Sequence, residues 1–160
     1  MLLLNKVPKE PAMTNVAEEL ASPAEGLSKD HVARRVQDWK NRISELYGNV
    51  AQWLPDGVMA DGSHSVPMHE DLMRQFRLPA TSVPILTLLK GDQWLGKLVP
   101  QGLWIIGANG RVDLFSPNGQ SIIVDRSENF DRSNWLIAPS NQRRQTKPLT
   151  ADTFKAALGI

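Results

Sequence analysis

From Val32 onward the apolar side chains recur as Val32, Val36, Trp39, Ile43, Leu46, Val50 and Trp53, in alternating steps of four and three. That spacing keeps one stripe on one side of a helix over three turns-pairs of the heptad type. Ser28 stands where an N-cap belongs, Asp30 falls in the first turn, and Pro55-Asp56-Gly57 is a stop signal. The pattern predicts one amphipathic helix from about 29 to 54. Gly48 weakens it by about 1 kcal/mol relative to alanine. Arg34, Arg35, Gln37, Asp38, Lys40, Arg42 and Glu45 read as its solvated side. Two packings suit such a stripe: a helix laid across a sheet of the same chain, or the seam of a self-associating helix pair. Tryptophans at two seam positions favour the first, because indole is too bulky for a two-stranded core.

The next pattern is shorter. Val58 and Met59 suggest a brief strand. Ser65 is placed to cap a second helix, with Pro67 just inside its start. Met68, Leu72 and Phe76 then repeat every fourth residue, and Leu78-Pro79 closes the segment.

Beyond residue 82 the periodicity becomes that of strands. Val83–Leu89, Trp94–Val99, Leu103–Ile106, Arg111–Phe115, Ser121–Asp125 and Asn134–Ala138 are separated by Lys90-Gly91-Asp92-Gln93, Pro100-Gln101-Gly102, Gly107-Ala108-Asn109-Gly110 and Ser116-Pro117-Asn118-Gly119. Leu103-Trp104-Ile105-Ile106 is apolar throughout and predicts a central strand. Asn109-Gly110 carries the two-residue hairpin signal. In Arg111–Phe115, Val112 and Leu114 face one way and Arg111 and Asp113 the other. Thr150 caps a last helix through Leu158, Leu149 and Phe154 are spaced as a hydrophobic staple, and Gly159 follows as its stop. The expected fold is therefore α+β: a long N-terminal amphipathic helix and a short helix packed on an antiparallel meander sheet or small barrel, with a C-terminal helix.

Composition narrows the function classes. The chain has 160 residues and no cysteine, which removes disulfides, thiolate metal sites and thiol catalysis. Residues 1–27 hold three prolines and four glutamates behind Met1-Leu2-Leu3-Leu4, too short an apolar run for a signal peptide. They read as a flexible arm before a single α+β domain over 28–160, and Met13 is as plausible a start as Met1. No run is apolar for long enough to span a bilayer, so a soluble, cytoplasmic protein with no membrane partner is expected. The net charge is +1. There is no Walker loop, dinucleotide fingerprint, Gly-x-Ser-x-Gly elbow or internal repeat.

Three places remain where chemistry could sit. His64, His69 and Glu70 put groups that titrate near neutrality beside a carboxylate, the ingredients of a small hydrolase, although their spacing matches no metal motif and no metal or cofactor is implied. A helix start at Ser65 would put His69 and Glu70 in its first turn and His64 in the preceding loop. Arg111 and Asp113 share one strand face, where they could hold a ligand or pair with each other. Arg143, Arg144 and Lys147 make a polar loop with three positive charges and no acid, a candidate nucleic-acid contact. Since no reaction-specific motif appears, the leading expectation is a non-enzymatic binding or protein-interaction module, with a protein partner or a second copy engaged through the helix at 29–54 or the sheet. A nucleic-acid-binding module using residues 143–147 and a His/Glu-dependent hydrolase are the alternatives.

Overall fold

The computed structural model describes residues 27–160, so the expected arm and the choice between Met1 and Met13 lie outside the described residues. Helix α1 spans Lys29–Trp53, with Ser28 as its N-cap: the Ser28 hydroxyl accepts the His31 N–H at 3.1 Å. Strand β1 (Val58–Met68) and a five-residue helix α2 (Asp71–Gln75) follow. Then come β2 (Thr81–Lys90), β3 (Gln93–Gly102), β4 (Arg111–Ser116), β5 (Gly119–Asp125), β6 (Trp135–Pro139), a two-residue β7 (Lys147–Pro148) and helix α3 (Ala151–Leu158).

Each strand pairs antiparallel with the next, in the order β1-β2-β3-β4-β5-β6-β7. The α+β class is as expected, and the sheet is an open meander rather than a barrel. Its ends do not meet: β7 is only two residues long, and β1 carries a bulge between Asp61 and His64. A bulge and a proline are both at home on an edge strand, and both resist further pairing.

The helices lie on one face of this sheet. Val32, Trp39, Ile43, Leu46 and Val50 of α1 share a core with Leu88, Leu98, Val112, Leu114, Ile123 and Ile137 from the strands and with Phe154 and Leu158 of α3. The apolar stripe of α1 is thus covered by the sheet of its own chain and leaves no apolar seam for a second copy. On the other face, Ile122, Val124 and Ala138 form a smaller cluster with Ala108.

Four expectations are overturned, each for an identifiable reason. Ser65 and Pro67 do not start a helix: they continue β1, paired with Pro84 and Ser82, and the helix begins only after Glu70. Leu103–Ile106 is not a strand. The Glu70 carboxylate accepts the N–H groups of Leu103 and Trp104 at 2.8 and 3.2 Å and so removes them from any ladder, while Ile106 stands 79% exposed. Asn109-Gly110 is not a two-residue hairpin, because Asn109 does not take the positive φ that such a turn needs and the β3–β4 connection runs over eight residues. The two-residue turns are at Gly91-Asp92 and Pro117-Asn118, bracketed by the pairs Lys90/Gln93 and Ser116/Gly119. Finally, Arg35 and Arg42 are buried rather than solvated.

The two arginines reach past the core to polar partners. Arg42 pairs with Asp125 at 2.7 Å and with Asp38, one turn back, at 2.8 Å, and also donates to the Asn109 carbonyl at 2.7 Å. Arg35 donates to the Asn109 side chain at 2.7 Å. The Asn109 amide in turn donates to the Ser127 hydroxyl and the Glu128 carbonyl. The Arg42 guanidinium also lies over the Trp39 ring, 5.0 Å from its centroid.

Trp39 and Gly110 meet at the centre of this arrangement. A Cβ on Gly110 would lie 2.2 Å from Trp39 Cζ3, and its φ of +129° is strained for any other residue. Gly110→Val is therefore expected to prevent folding, and a wild-type Tm would contradict the contact. Trp39→Ala should cost about 3–5 kcal/mol. Combined with Gly110→Ala it should be less than additive by about 0.5–3 kcal/mol in a denaturation cycle, since the first change removes what the second collides with.

Tyr47, the only tyrosine, ties α1 to two strands: its hydroxyl lies 2.7 Å from the Pro84 carbonyl and 3.3 Å from that of Leu98. Burial pushes this hydroxyl well above its ordinary value of 10.0. The folded chain then holds the proton more tightly than the unfolded chain does. Its contribution to stability is complete below about pH 10 and is lost as pH rises toward the folded value. Tyrosinate absorbance should consequently appear only with alkaline unfolding, and Tyr47→Phe should flatten the loss of stability above about pH 10. A native-state titration at the ordinary value would show the hydroxyl to be solvated.

Candidate functional site

The histidine segment is drawn out along β1. His64 is exposed at the bulge, where the Asp61 carboxylate accepts the Ser63 N–H at 2.9 Å. Hydrogen bonds from Ser63, side chain first and backbone second, hold the Asp61 carboxyl below the ordinary aspartate value, with a smaller contribution from the His64 ring. From His64 to Met68 the strand alone extends about 13 Å. His69 lies beyond that, with its Nε2 2.9 Å from the Leu78 carbonyl oxygen. A carbonyl only accepts, so Nε2 carries the proton. Glu70 turns inward to the N–H groups of Leu103 and Trp104. Arg74 bonds the His69 carbonyl and the Asp71 carboxylate. The structure thus places His69 and Glu70 next to each other with separate partners, and it does not bring His64 to them.

Arg111 and Asp113 do come together. Alternate residues of a strand share a face, and here Arg111 Nε and Nη2 grip the two Asp113 oxygens at 2.7 and 3.0 Å. Gln120 adds a third donor to Asp113 at 2.9 Å. Asp113 is buried beneath these groups, on the sheet face away from α1. The pair satisfies itself. No group of three or more His, Cys, Asp or Glu side chains is placed to hold a metal ion among the described residues.

Arg143 donates to the Ser140 carbonyl at 3.2 Å, and Arg144 and Lys147 are exposed. None of the three makes an ion pair among the described residues. Lys147 has a further placement that its sequence position did not announce. As part of β7 it forms one wall of a groove, together with Gln145. The opposite wall is α3, through Thr153, Ala156 and Ala157, and the floor is the sheet at Ser121, Ile137 and Pro139. The cavity measures about 360 Å³. A second hollow of about 360 Å³ continues it past the same Ser121, Pro139, Ala156 and Ala157 to Asn118 and Asn141.

The groove follows from α3's sequence. Phe154 and Leu158, four apart, are buried, while the adjoining side of the helix carries Ala156 and Ala157, which are too small to fill the space above the sheet. The helix is held at both ends. Thr150 and Thr153 form a capping box, and Gly159 closes the last turn at φ +84°. The side chain of Asn118 donates to the Leu158 carbonyl at 3.3 Å. Sequence reasoning found this helix and its caps but not the groove. The only signal was a pair of alanines beside the buried stripe, and alanine is also the commonest helix filler.

No protein-family model matches the chain, and neither a curated protein nor a solved structure is significantly similar to it. No helix among the described residues is long and apolar enough to cross a membrane.

Removing the Glu70 carboxylate tests whether it is engaged. Glu70→Ala strands two N–H groups, one of them on fully buried Leu103, and should lower stability by about 1.5–3 kcal/mol, read as a lower denaturation midpoint at unchanged m-value. A change within about 0.5 kcal/mol would return Glu70 to the pool of free carboxylates.

Proposed function

We propose that this protein is a non-enzymatic protein-interaction module that receives its partner in the groove between α3 and the β5–β7 end of the sheet. The observation that carries the reading is the groove itself: an open, elongated channel whose first hollow is mainly apolar, over Ile137, Ala156 and Ala157, and whose second is lined by neutral polar groups, a mixture that recognition sites share. Much of the polar chemistry elsewhere is engaged in holding the fold. Glu70 caps a loop, His69 bonds a carbonyl, and Arg111, Asp113 and Gln120 satisfy one another. A protein partner also suits an α1 whose exposed side is polar and whose apolar side is already covered.

The second reading, a nucleic-acid-binding module, is favoured by Arg143, Arg144 and Lys147, cations without ion pairs on one loop. It would show as retention on heparin that falls steeply with salt.

Site-specific photo-crosslinking separates the interaction reading from its failure. A photo-reactive phenylalanine in place of exposed Ala156 should yield a discrete protein adduct in cells. The same group in place of Gln52, on the solvent side of α1, should yield none. Adducts at Gln52 alone, or none at Ala156, would overturn the groove as the docking surface.

A further inference from the structure

We infer that the sheet face turned away from α1 joins a second copy of this chain, packed face to face over β1, β2 and β3 about a two-fold axis running along β2. This surface is separate from the groove, which lies between α3 and the other end of the sheet. Residues directly opposite each other on antiparallel strands share a face, so strand pairing sets the side chains out in rows. Met59 pairs with Leu89 and Leu89 with Trp94; two residues further along β1, Asp61 pairs with Thr87 and Thr87 with Lys97. The intervening Ala60 and Leu88, and Leu98 beside Lys97, belong to the core under α1, so both rows point the other way. The extra residue of β3, Leu95, also packs toward that core and leaves Trp94 on the outer face.

The outer face of an antiparallel sheet is ordinarily polar where it meets water. Here Met59 is 70% and Trp94 40% exposed, with Leu89 half-buried between them. The helices pack on the opposite face, and Ala108 with its loop covers this one at β5 and β6, over Ile122, Val124 and Ala138. The order of groups across the rows singles out a second copy. Asp61 and Lys97 flank Thr87, two strand spacings or about 10 Å apart, and neither has an ion pair among the described residues. The Lys97 ammonium lies 5.9 Å from the centroid of the Phe115 ring. A partner surface of one sign would attract one of these two charges and repel the other. A half-turn about β2 exchanges the flanks instead: Asp61 comes over the second copy's Lys97, Lys97 over its Asp61, and Met59 over its Trp94, a thioether against an indole. Thr87 and Leu89 lie on the axis, each over its own counterpart.

Sedimentation velocity of the full chain over a concentration series reads the association, and the expected result is a reversible dimer. Met59→Lys, at an exposed position, should weaken its Kd about tenfold or more at unchanged Tm, and so should Asp61→Lys and Lys97→Glu taken singly. Asp61→Lys/Lys97→Glu restores the complementary order and should bring Kd back to within about threefold of wild type, a non-additivity that only paired groups show. The chain has no cysteine, so Thr87→Cys places a single thiol on the axis, about 10 Å from its counterpart across the packed sheets, and a short bismaleimide should yield a covalent dimer. Gln52→Cys, on the solvent side of α1, should yield none. A wild-type chain that stays monomeric up to about 1 mM, the weak end of the affinity scale, would overturn the second copy as the occupant of this face. A dimer indifferent to Met59→Lys would overturn the face itself. A dimer lost in both single charge reversals and not regained in the double variant would overturn the two-fold along β2.

Discussion

The ion pair between Arg42 and Asp125 governs the rest of the structure. Both side chains are taken out of water, with Arg42 5% exposed and Asp125 fully buried. Such a pair is costly to assemble, because each charge loses its hydration. It is costlier to break, because the remaining partner stays buried and uncompensated, at about 3–5 kcal/mol. The arrangement answers that cost with many hydrogen bonds. Arg42 spends its fork on Asp38, Asp125 and the Asn109 carbonyl, and Asp125 accepts the N–H groups of Ser127 and Asn134 with its other oxygen. Lysine could not substitute, since a point charge on a flexible stem does not serve three acceptors in a plane while lying against an indole.

Two long connections acquire their shape from this pair. The chain from Leu103 to Gly110 is bound at its end through Asn109, whose side chain meets Arg35 and whose carbonyl meets Arg42. Its start is held by Glu70. The segment after β5 folds around the Asp125 carboxylate and returns at Asn134. It is fastened to α1 again by Ser133 on Glu45 and by Phe130, whose ring meets His31 edge-on at 5.8 Å and lies 5.3 Å from Arg34. Phe130 adopts a φ of +67°, an uncommon conformation for an aromatic residue that these neighbours hold in place. The polar spine therefore fixes how α1 crosses the sheet, and Trp39 can pack against Gly110 only because that crossing is fixed.

Much of the fold was legible in the sequence, because periodicity reports burial directly. The stripe of α1, the caps at Ser28 and Thr150, the turns at Gly91 and Pro117, and the facing of Arg111 and Asp113 in β4 each match a local rule to a local outcome. What was misread depended on partners far away in the chain. Arg35 and Arg42 have the helical positions of solvated residues and become interior only because Asn109 and Asp125, more than sixty residues on, supply acceptors. Leu103–Ile106 is as apolar as a central strand, yet a carboxylate from residue 70 captures two of its amides. Ser65 and Pro67 look like a helix start until β2 is available to pair with them. For the candidate site the limit is sharper. A groove is made of space that side chains do not fill, and Ala156 and Ala157 acquire meaning only against the floor provided by Ile137 and Pro139.

Several of the residues that looked most chemical in the sequence, His69, Glu70, Arg111 and Asp113, are ones this fold uses to hold itself together. A histidine, a glutamate and an Arg-Asp pair suggest reactivity because they are polar, directional and able to change charge. Those same properties make them useful for capping an amide, closing a loop or neutralising a buried acid. Once each has a partner within hydrogen-bond distance, displacing it for chemistry would first require breaking a structural bond. Among the groups left without such obligations are Arg144 and Lys147, and the surface beside α3 is unfilled. The proposed recognition can use the open groove as it stands, with Lys147 and Asp152 on its walls, whereas joint acid–base work by His64, His69 and Glu70 would require groups converging on one atom, and β1 keeps His64 apart from the other two.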